Sequence, residues 1–93
     1  MIQNRKQELL TLLQEEASEV IQAVSKLMRF EDKDRDNTGA IEQEIGDFLV
    51  IVNSLFEEKY LNQENVKVAC DKKAKKMMKY TKFKKENVNV SKK

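Results

Sequence analysis

Two short acidic segments, "EEASE" and "EIGD", carry the side chains best suited to chemistry in this sequence. Both lie in stretches whose apolar residues recur at helical spacing. On a helical wheel of about 100° per residue, Glu16 falls inside the apolar arc, Glu19 lies at its edge and Glu15 lies outside it. In the second segment Glu44 falls inside the arc and Asp47 at its edge. Each helix therefore presents an acid-x-x-acid pair whose first member points inward.

Carboxylates that converge in a partly buried place need a counter-charge, because they cannot all ionise side by side otherwise. All-oxygen ligation suits hard divalent cations, above all Mg²⁺, with Mn²⁺ as a substitute. Mg²⁺ held by a few carboxylates keeps positions open for water and for substrate phosphates. A single acidic pair would be read as ordinary solvated helix charge. Two pairs on facing helices favour a metal site that handles a phosphate ester or phosphoanhydride.

The composition excludes several classes of active site. The chain has 93 residues, no His and a single Cys, so neither a Ser-His-Asp triad nor His-ligated zinc can form. Cys70 has no partner for an intrachain disulfide, which indicates a reducing compartment, and its place in an apolar stripe predicts a small core residue. No apolar run is long enough to cross a membrane, and "MIQNRKQELL" lacks a signal-peptide core. We therefore expect a cytoplasmic protein without membrane attachment.

Apolar periodicity predicts three helices, over residues 5–30, 39–59 and 63–81. A short polar loop makes the first two antiparallel neighbours whose apolar faces meet. We expect an all-α antiparallel helical bundle in a single domain over residues 1–83, followed by a disordered lysine-rich tail over residues 84–93. A chain of this length buries a modest core, so homo-oligomerisation is expected to complete the bundle.

Lysine covers most of the third helix outside its apolar stripe. One interpretation is a solvated face, and another is contact with substrate phosphates. Binding to nucleic acid or to an anionic membrane is less favoured, because the helix lacks interleaved aromatic residues and its apolar face is narrow.

The two acidic segments, separated by residues 20–43, resemble the EExxE…ExxD signature of the MazG-like all-α NTP pyrophosphohydrolases. The surrounding text, "LLTLLQEEASEVIQAVSKLMRF" and "EIGDFLVIVNSL", is similar to that of the short single-domain members often carried by bacteriophages. The resemblance covers roughly residues 5–83. It implies a helical fold in which subunits pair as dimers, or as tetramers of two dimers.

The resemblance also implies roles for individual acids. It makes Glu16, Glu19, Glu44 and Asp47 the metal ligands. It further implies that Glu16 or Glu19 positions or deprotonates the attacking water. Glu15 matches the outer acid of the motif and is expected to orient a water or a lysine rather than to bind metal.

Further residues match positions that line the substrate pocket in the resembled family. Asn53 matches an asparagine found in many members. The segment "KKAKKMMKY" is similar to a basic KxxKNxxRY pattern and implies phosphate or base contacts, made by Lys72, Lys75, Lys76, Lys79 and Tyr80. Lys76 stands at the usual Asn position and Lys79 replaces Arg, which removes the bidentate fork that arginine offers a phosphate.

The function that the resemblance implies is Mg²⁺-dependent hydrolysis of nucleoside triphosphates to the monophosphate and pyrophosphate, as nucleotide-pool housekeeping. The alternative is a non-catalytic helical module that binds nucleic acid or a partner protein through the lysine-rich third helix. Release of pyrophosphate distinguishes the two hypotheses.

Overall fold

The structure, a computed structural model, describes residues 4–30 and 38–80. These residues form three α-helices, α1 (Arg5–Phe30), α2 (Thr38–Glu57) and α3 (Gln63–Tyr80). No strand occurs within these two ranges, which confirms the all-α prediction. The predicted tail over 84–93 lies outside the described residues. In the described ranges no helix is long and apolar enough to cross a membrane.

The chain divides into two units, Met1–Leu61 and Asn62–Lys93. The first contains α1 and α2, and the second contains α3. The first unit is an antiparallel hairpin, since Arg5 at the start of α1 contacts Glu58 just past the end of α2, whereas residues in the middle of α1 lie beside the middle of α2. Both acidic segments lie in this hairpin, one on each helix.

The start of α1 is fixed by reciprocal hydrogen bonds. The backbone N–H of Gln7 donates to Asn4 Oδ1 at 2.8 Å, and that of Asn4 donates to Gln7 Oε1 at 3.3 Å. This capping box satisfies two amide donors that the first turn leaves free. Arg5 then donates to Glu8 Oε1 at 3.0 Å and to Glu58 Oε2 at 3.3 Å. Capping thus fixes the start of α1, and the ion pair between Arg5 and Glu58 joins that start to the end of α2.

The end of α2 is formed by a residue in the left-handed region. Lys59 has a φ of 66°, and its N–H donates to the Phe56 carbonyl at 3.0 Å. The N–H of Tyr60 donates to the Leu55 carbonyl at 2.9 Å. This is the Schellman pattern, which usually places glycine where Lys59 stands.

The helix α3 begins at a side-chain cap, where the Asn65 N–H donates to Asn62 Oδ1 at 2.8 Å. The prediction that Cys70 is a core residue is wrong for this chain, because the thiol is exposed. An apolar stripe on a helix becomes core only where another surface covers it, and periodicity alone does not supply that surface.

The described core of the hairpin is small. Its buried apolar residues are Leu9, Ala23 and Leu55, which are 2%, 7% and 0% exposed. Other residues of the predicted apolar faces remain open to solvent, among them Ile21 and Leu49. The expectation that the two apolar faces meet is therefore correct only in part. Each apolar arc is wider than the strip that one neighbouring helix covers.

Candidate metal centre

Three carboxylates from two helices converge in the middle of the hairpin. Glu16 on α1 and Glu44 on α2 are half-buried, whereas Asp47, one turn further along α2, is exposed. One carboxylate oxygen from each residue lies within 4.8 Å of the other two. Side chains that are 28 or more residues apart in sequence meet there because the hairpin is antiparallel.

Glu16 is the most constrained member of this acid cluster (Glu16, Glu44 and Asp47). Its Oε1 is buried and has no hydrogen-bond partner among the described residues. Removal from water raises the pKa of Glu16, and the negative charges of Asp47, Glu44, Glu19 and Glu15 raise it further, in that order. A carboxylate in this position is therefore destabilised in its charged form unless a cation compensates for it.

The donor set fits a hard divalent cation. All three groups offer carboxylate oxygens, which are the ligands that Mg²⁺ and Mn²⁺ prefer. The unpaired oxygen of Glu16 is a specific reason to expect an ion, because a buried polar atom without a partner costs free energy. Asp47 stays open to solvent, so water and a phosphate can reach the same place.

Glu19, the fourth predicted ligand, does not belong to the group within 4.8 Å. Its side chain is exposed, yet its charge still contributes to the raised pKa of Glu16. Glu19 therefore lies near the acid cluster, at its border. Glu15 is also exposed, and its charge makes the smallest of the four carboxylate contributions to that pKa.

The structure does not bring Asn53 to the acid cluster. Asn53 is exposed, and its Nδ2 donates to Glu57 Oε2 at 3.3 Å. Asn53 lies nine positions after Glu44, which turns it about 180° around the axis of α2 at 100° per residue. A role of Asn53 at the metal centre of its own chain therefore has no support from this geometry.

The predicted phosphate-binding lysines lie on α3, in the second unit of the chain. All four are exposed and occupy one face of the helix, at i, i+3, i+4 and i+7 spacing; they are Lys72, Lys75, Lys76 and Lys79. Tyr80 is the last residue of α3. Contact between these residues and a substrate stays a prediction.

In addition to the acid cluster, the hairpin has an apolar groove that the sequence did not indicate. Its volume is about 380 Å³, and it lies between α1 and α2. It is lined by Ala17, Val20, Ile21, Ile45, Phe48 and Leu49. Periodicity marked these residues as apolar, but it did not show which of them the neighbouring helix leaves uncovered.

Comparison with known proteins gives one finding. Residues 4–86 match the family model described as MazG nucleotide pyrophosphohydrolase domain. The match covers nearly the whole chain, including both acidic segments and α3. The searches of curated proteins and of solved structures returned no match.

Proposed function

Because the chain belongs to the MazG family of nucleotide pyrophosphohydrolases, we propose that it hydrolyses a nucleoside or deoxynucleoside triphosphate to the monophosphate and pyrophosphate. The family implies nucleotide pyrophosphohydrolase activity in general, and its enzymes typically depend on a divalent metal. One observation carries the proposal for this chain: three carboxylates lie within 4.8 Å, and one of them has a buried oxygen without a partner.

In this proposal Glu16, Glu44 and Asp47 hold Mg²⁺, for which Mn²⁺ can substitute, and Glu19 joins them from the border of the site. A bound Mg²⁺ supplies positive charge that stabilises negative charge developing on the phosphate oxygens. Exposed Asp47 would leave the site open to the triphosphate, and half-buried Glu16 would hold the cation from α1. The supporting facts are the burial and the mutual distances of these side chains.

Glu19 and Glu16 are the candidates to orient the attacking water and to accept its proton. The water oxygen forms a bond to phosphorus while the bond to the departing phosphate oxygen breaks. Glu19 is exposed at the border, where a water molecule reaches it without entering the hairpin. Glu15, further out, would orient one of these waters.

The remaining assignments are proposals that follow from the family. Exposed lysines of α3, Lys72, Lys75, Lys76 and Lys79, would neutralise the phosphates of the nucleotide or of the leaving pyrophosphate, and Tyr80 would contact the nucleotide with them. Asn53, which lies away from the acid cluster of its own chain, would contact substrate only if a second subunit brings a site to it. The protein would act in the cytoplasm as a homo-oligomer, either a dimer or a tetramer. It would belong to the short single-domain members of the family that phages carry.

The test is release of pyrophosphate from a panel of nucleoside and deoxynucleoside triphosphates, with Mg²⁺ and with EDTA. Glu44→Gln and Asp47→Asn should lower kcat/KM by at least about 100-fold, since each removes one of a few ligands. Glu42→Gln is the matched control, because Glu42 is an exposed acid of α2 outside the acid cluster. Its activity should stay within about twofold of the parent.

Failure of the parent protein to release pyrophosphate from any triphosphate would refute the enzyme hypothesis. Salt-sensitive binding of nucleic acid without turnover would then favour the helical binding module, whose exposed lysine face on α3 is the feature that supports it. Turnover that Glu44→Gln and Asp47→Asn leave unchanged would show instead that the reaction does not use the acid cluster.

A further inference from the structure

The two units of the chain carry opposite charge. Residues 1–61, which contain the acid cluster, hold 13 acidic and seven basic side chains, so their formal net charge is −6. Residues 62–93 hold 11 lysines and three acidic side chains, so their net charge is +8. The overall charge of +2 conceals this division. A unit with such an excess of positive charge favours a negatively charged partner.

The described part of the second unit gathers most of its lysines on one face of α3. Four exposed lysines lie within an arc of about 100° around the helix axis and form the lysine face; they are Lys72, Lys75, Lys76 and Lys79. No acidic residue follows Asp71 in α3. Within the described residues, no ion pair involves a lysine of this helix. The charge of the lysine face is therefore available to an anion from outside the chain.

This charge exceeds what one nucleotide requires. A nucleoside triphosphate carries about four negative charges, and a bound Mg²⁺ offsets about two of them. The lysine face alone holds four positive charges, and it extends over seven residue steps, or about 10 Å along the helix. A nucleic acid duplex carries about one negative charge per 1.7 Å of its axis, which is about six charges over that length. The lysine face therefore suits an extended polyanion.

The opposite side of α3 argues against a lipid surface as the partner. It carries Val66, Cys70 and Ala74, which lie at least about 130° from the centre of the lysine face. A helix that lies in a membrane interface needs large apolar side chains such as Trp, Phe or Leu on this side. Valine, cysteine and alanine offer little apolar area for insertion, and Met77, which lies between them, is already half-buried. The partner is therefore a polyanion in solution.

We infer that the lysine face of α3 binds the phosphate backbone of a nucleic acid duplex, in addition to the proposed activity of the chain. Contacts from lysine to phosphate carry no sequence information, so this binding is independent of base sequence. Before Tyr80, α3 has no aromatic residue on which unpaired bases could stack. A duplex, with its high charge density, is therefore preferred to a single strand. Unlike the non-catalytic module considered above, this arrangement lets nucleic acid binding and hydrolysis coexist in one chain.

The test is fluorescence anisotropy of a labelled DNA duplex of about 20 base pairs, titrated with protein in EDTA without nucleotide, at 50 to 200 mM NaCl. At 50 mM NaCl the parent protein should bind with a dissociation constant of about 100 μM or less. Four phosphate contacts predict a slope of about −3.6 for log K against log salt, or about 100-fold weaker binding at 200 mM. Two duplexes of unrelated sequence should bind within about twofold of each other.

The double variant Lys72→Gln/Lys79→Gln removes two charges from the centre of the lysine face. It should weaken binding by about tenfold or more at 50 mM NaCl and reduce the magnitude of the salt slope by about 1.8. The matched control is Lys67→Gln/Lys73→Gln, which removes two charges from α3 at positions about 110–130° away from that centre. The control should bind within about threefold of the parent. Far-ultraviolet circular dichroism checks that the helices of both variants persist.

Three results would overturn the inference. The first is a parent protein that does not bind the duplex at 50 mM NaCl. The second is equal weakening in the two double variants, which would show that net charge acts and that the lysine face does not. The third is tighter binding to a single-stranded oligothymidylate of the same length than to the duplex.

This inference does not depend on the proposed activity, since binding is measured without metal or substrate. A protein that binds the duplex through the lysine face and releases no pyrophosphate would refute only the proposed function. A protein that releases pyrophosphate and does not bind the duplex would refute only the inference about nucleic acid.

Discussion

Replacing Glu16 by glutamine should have opposite effects on stability with and without Mg²⁺. In EDTA the substitution should raise the melting temperature. It removes a charge that is both shielded from water and surrounded by carboxylates, and these two causes also raise the pKa of Glu16. With Mg²⁺ the same substitution should lower the melting temperature relative to the parent, because the proposed metal site loses one of its three clustered carboxylates.

The stabilisation by Mg²⁺ depends on the ratio of its concentration to its dissociation constant. A ligand at about 100 times its dissociation constant stabilises the folded state by about 2.7 kcal/mol. For a domain of this length, that free energy raises the melting temperature by roughly 10–20 °C. Loss of an inner ligand should weaken binding by at least about 100-fold, since changes outside the ligand shell already cost 10–100-fold. At the same Mg²⁺ concentration, Mg²⁺ binding should stabilise the variant by only about 0.4 kcal/mol, which raises its melting temperature by about 3 °C or less.

The assay is thermal unfolding followed by circular dichroism at one protein concentration, in EDTA and across a Mg²⁺ titration. Glu42→Gln serves as the control for loss of one exposed acid from the hairpin, and its Mg²⁺ shift should equal that of the parent. A Glu16→Gln protein that melts below the parent in EDTA would refute the reasoning about the unpaired oxygen. An equal Mg²⁺ shift in parent and variant would refute the metal assignment.

Three further predictions concern the charge of Glu16 and the helix ends. The raised pKa of Glu16 means that its contribution to stability is fully present below the ordinary pKa of about 4.5 and is lost as the pH rises through the pKa of the folded state. Urea titrations of the metal-free proteins should therefore show the parent losing stability relative to Glu16→Gln as the pH rises through this interval. Lys59→Gly should stabilise the hairpin by about 0.5–1 kcal/mol, because glycine adopts the positive φ of 66° without the cost of a β-carbon, whereas a fall in the urea midpoint would contradict the Schellman assignment. Asn62→Ala should destabilise the start of α3 by about 1 kcal/mol, because the helix loses its cap. The amide hydrogen of Asn65 should then exchange faster with solvent, and an unchanged exchange rate would contradict the capping role.

The local structure and the direction in which the acids point could be predicted from the chain alone. Apolar periodicity located the three helices to within a few residues, because the side chains that a helix buries recur at its own period. The same period placed Glu16 and Glu44 on the inward faces, where the structure shows both of them half-buried. These properties depend on one helix at a time, so the sequence of that helix is sufficient.

The packing of α1 against α2 sets every property that depends on the distance between helices. It separated Glu19 from the three acids that lie within 4.8 Å, although on the wheel Glu19 and Asp47 occupy equivalent positions. It also left part of each apolar arc uncovered and so formed the groove beside Ile21 and Leu49. The angle of a side chain around its helix axis follows from its position in the sequence. Its neighbours from the other helix depend on how closely and on which side that helix packs. Two helices of known pattern can meet in more than one way, and only their packing selects the one that forms this site.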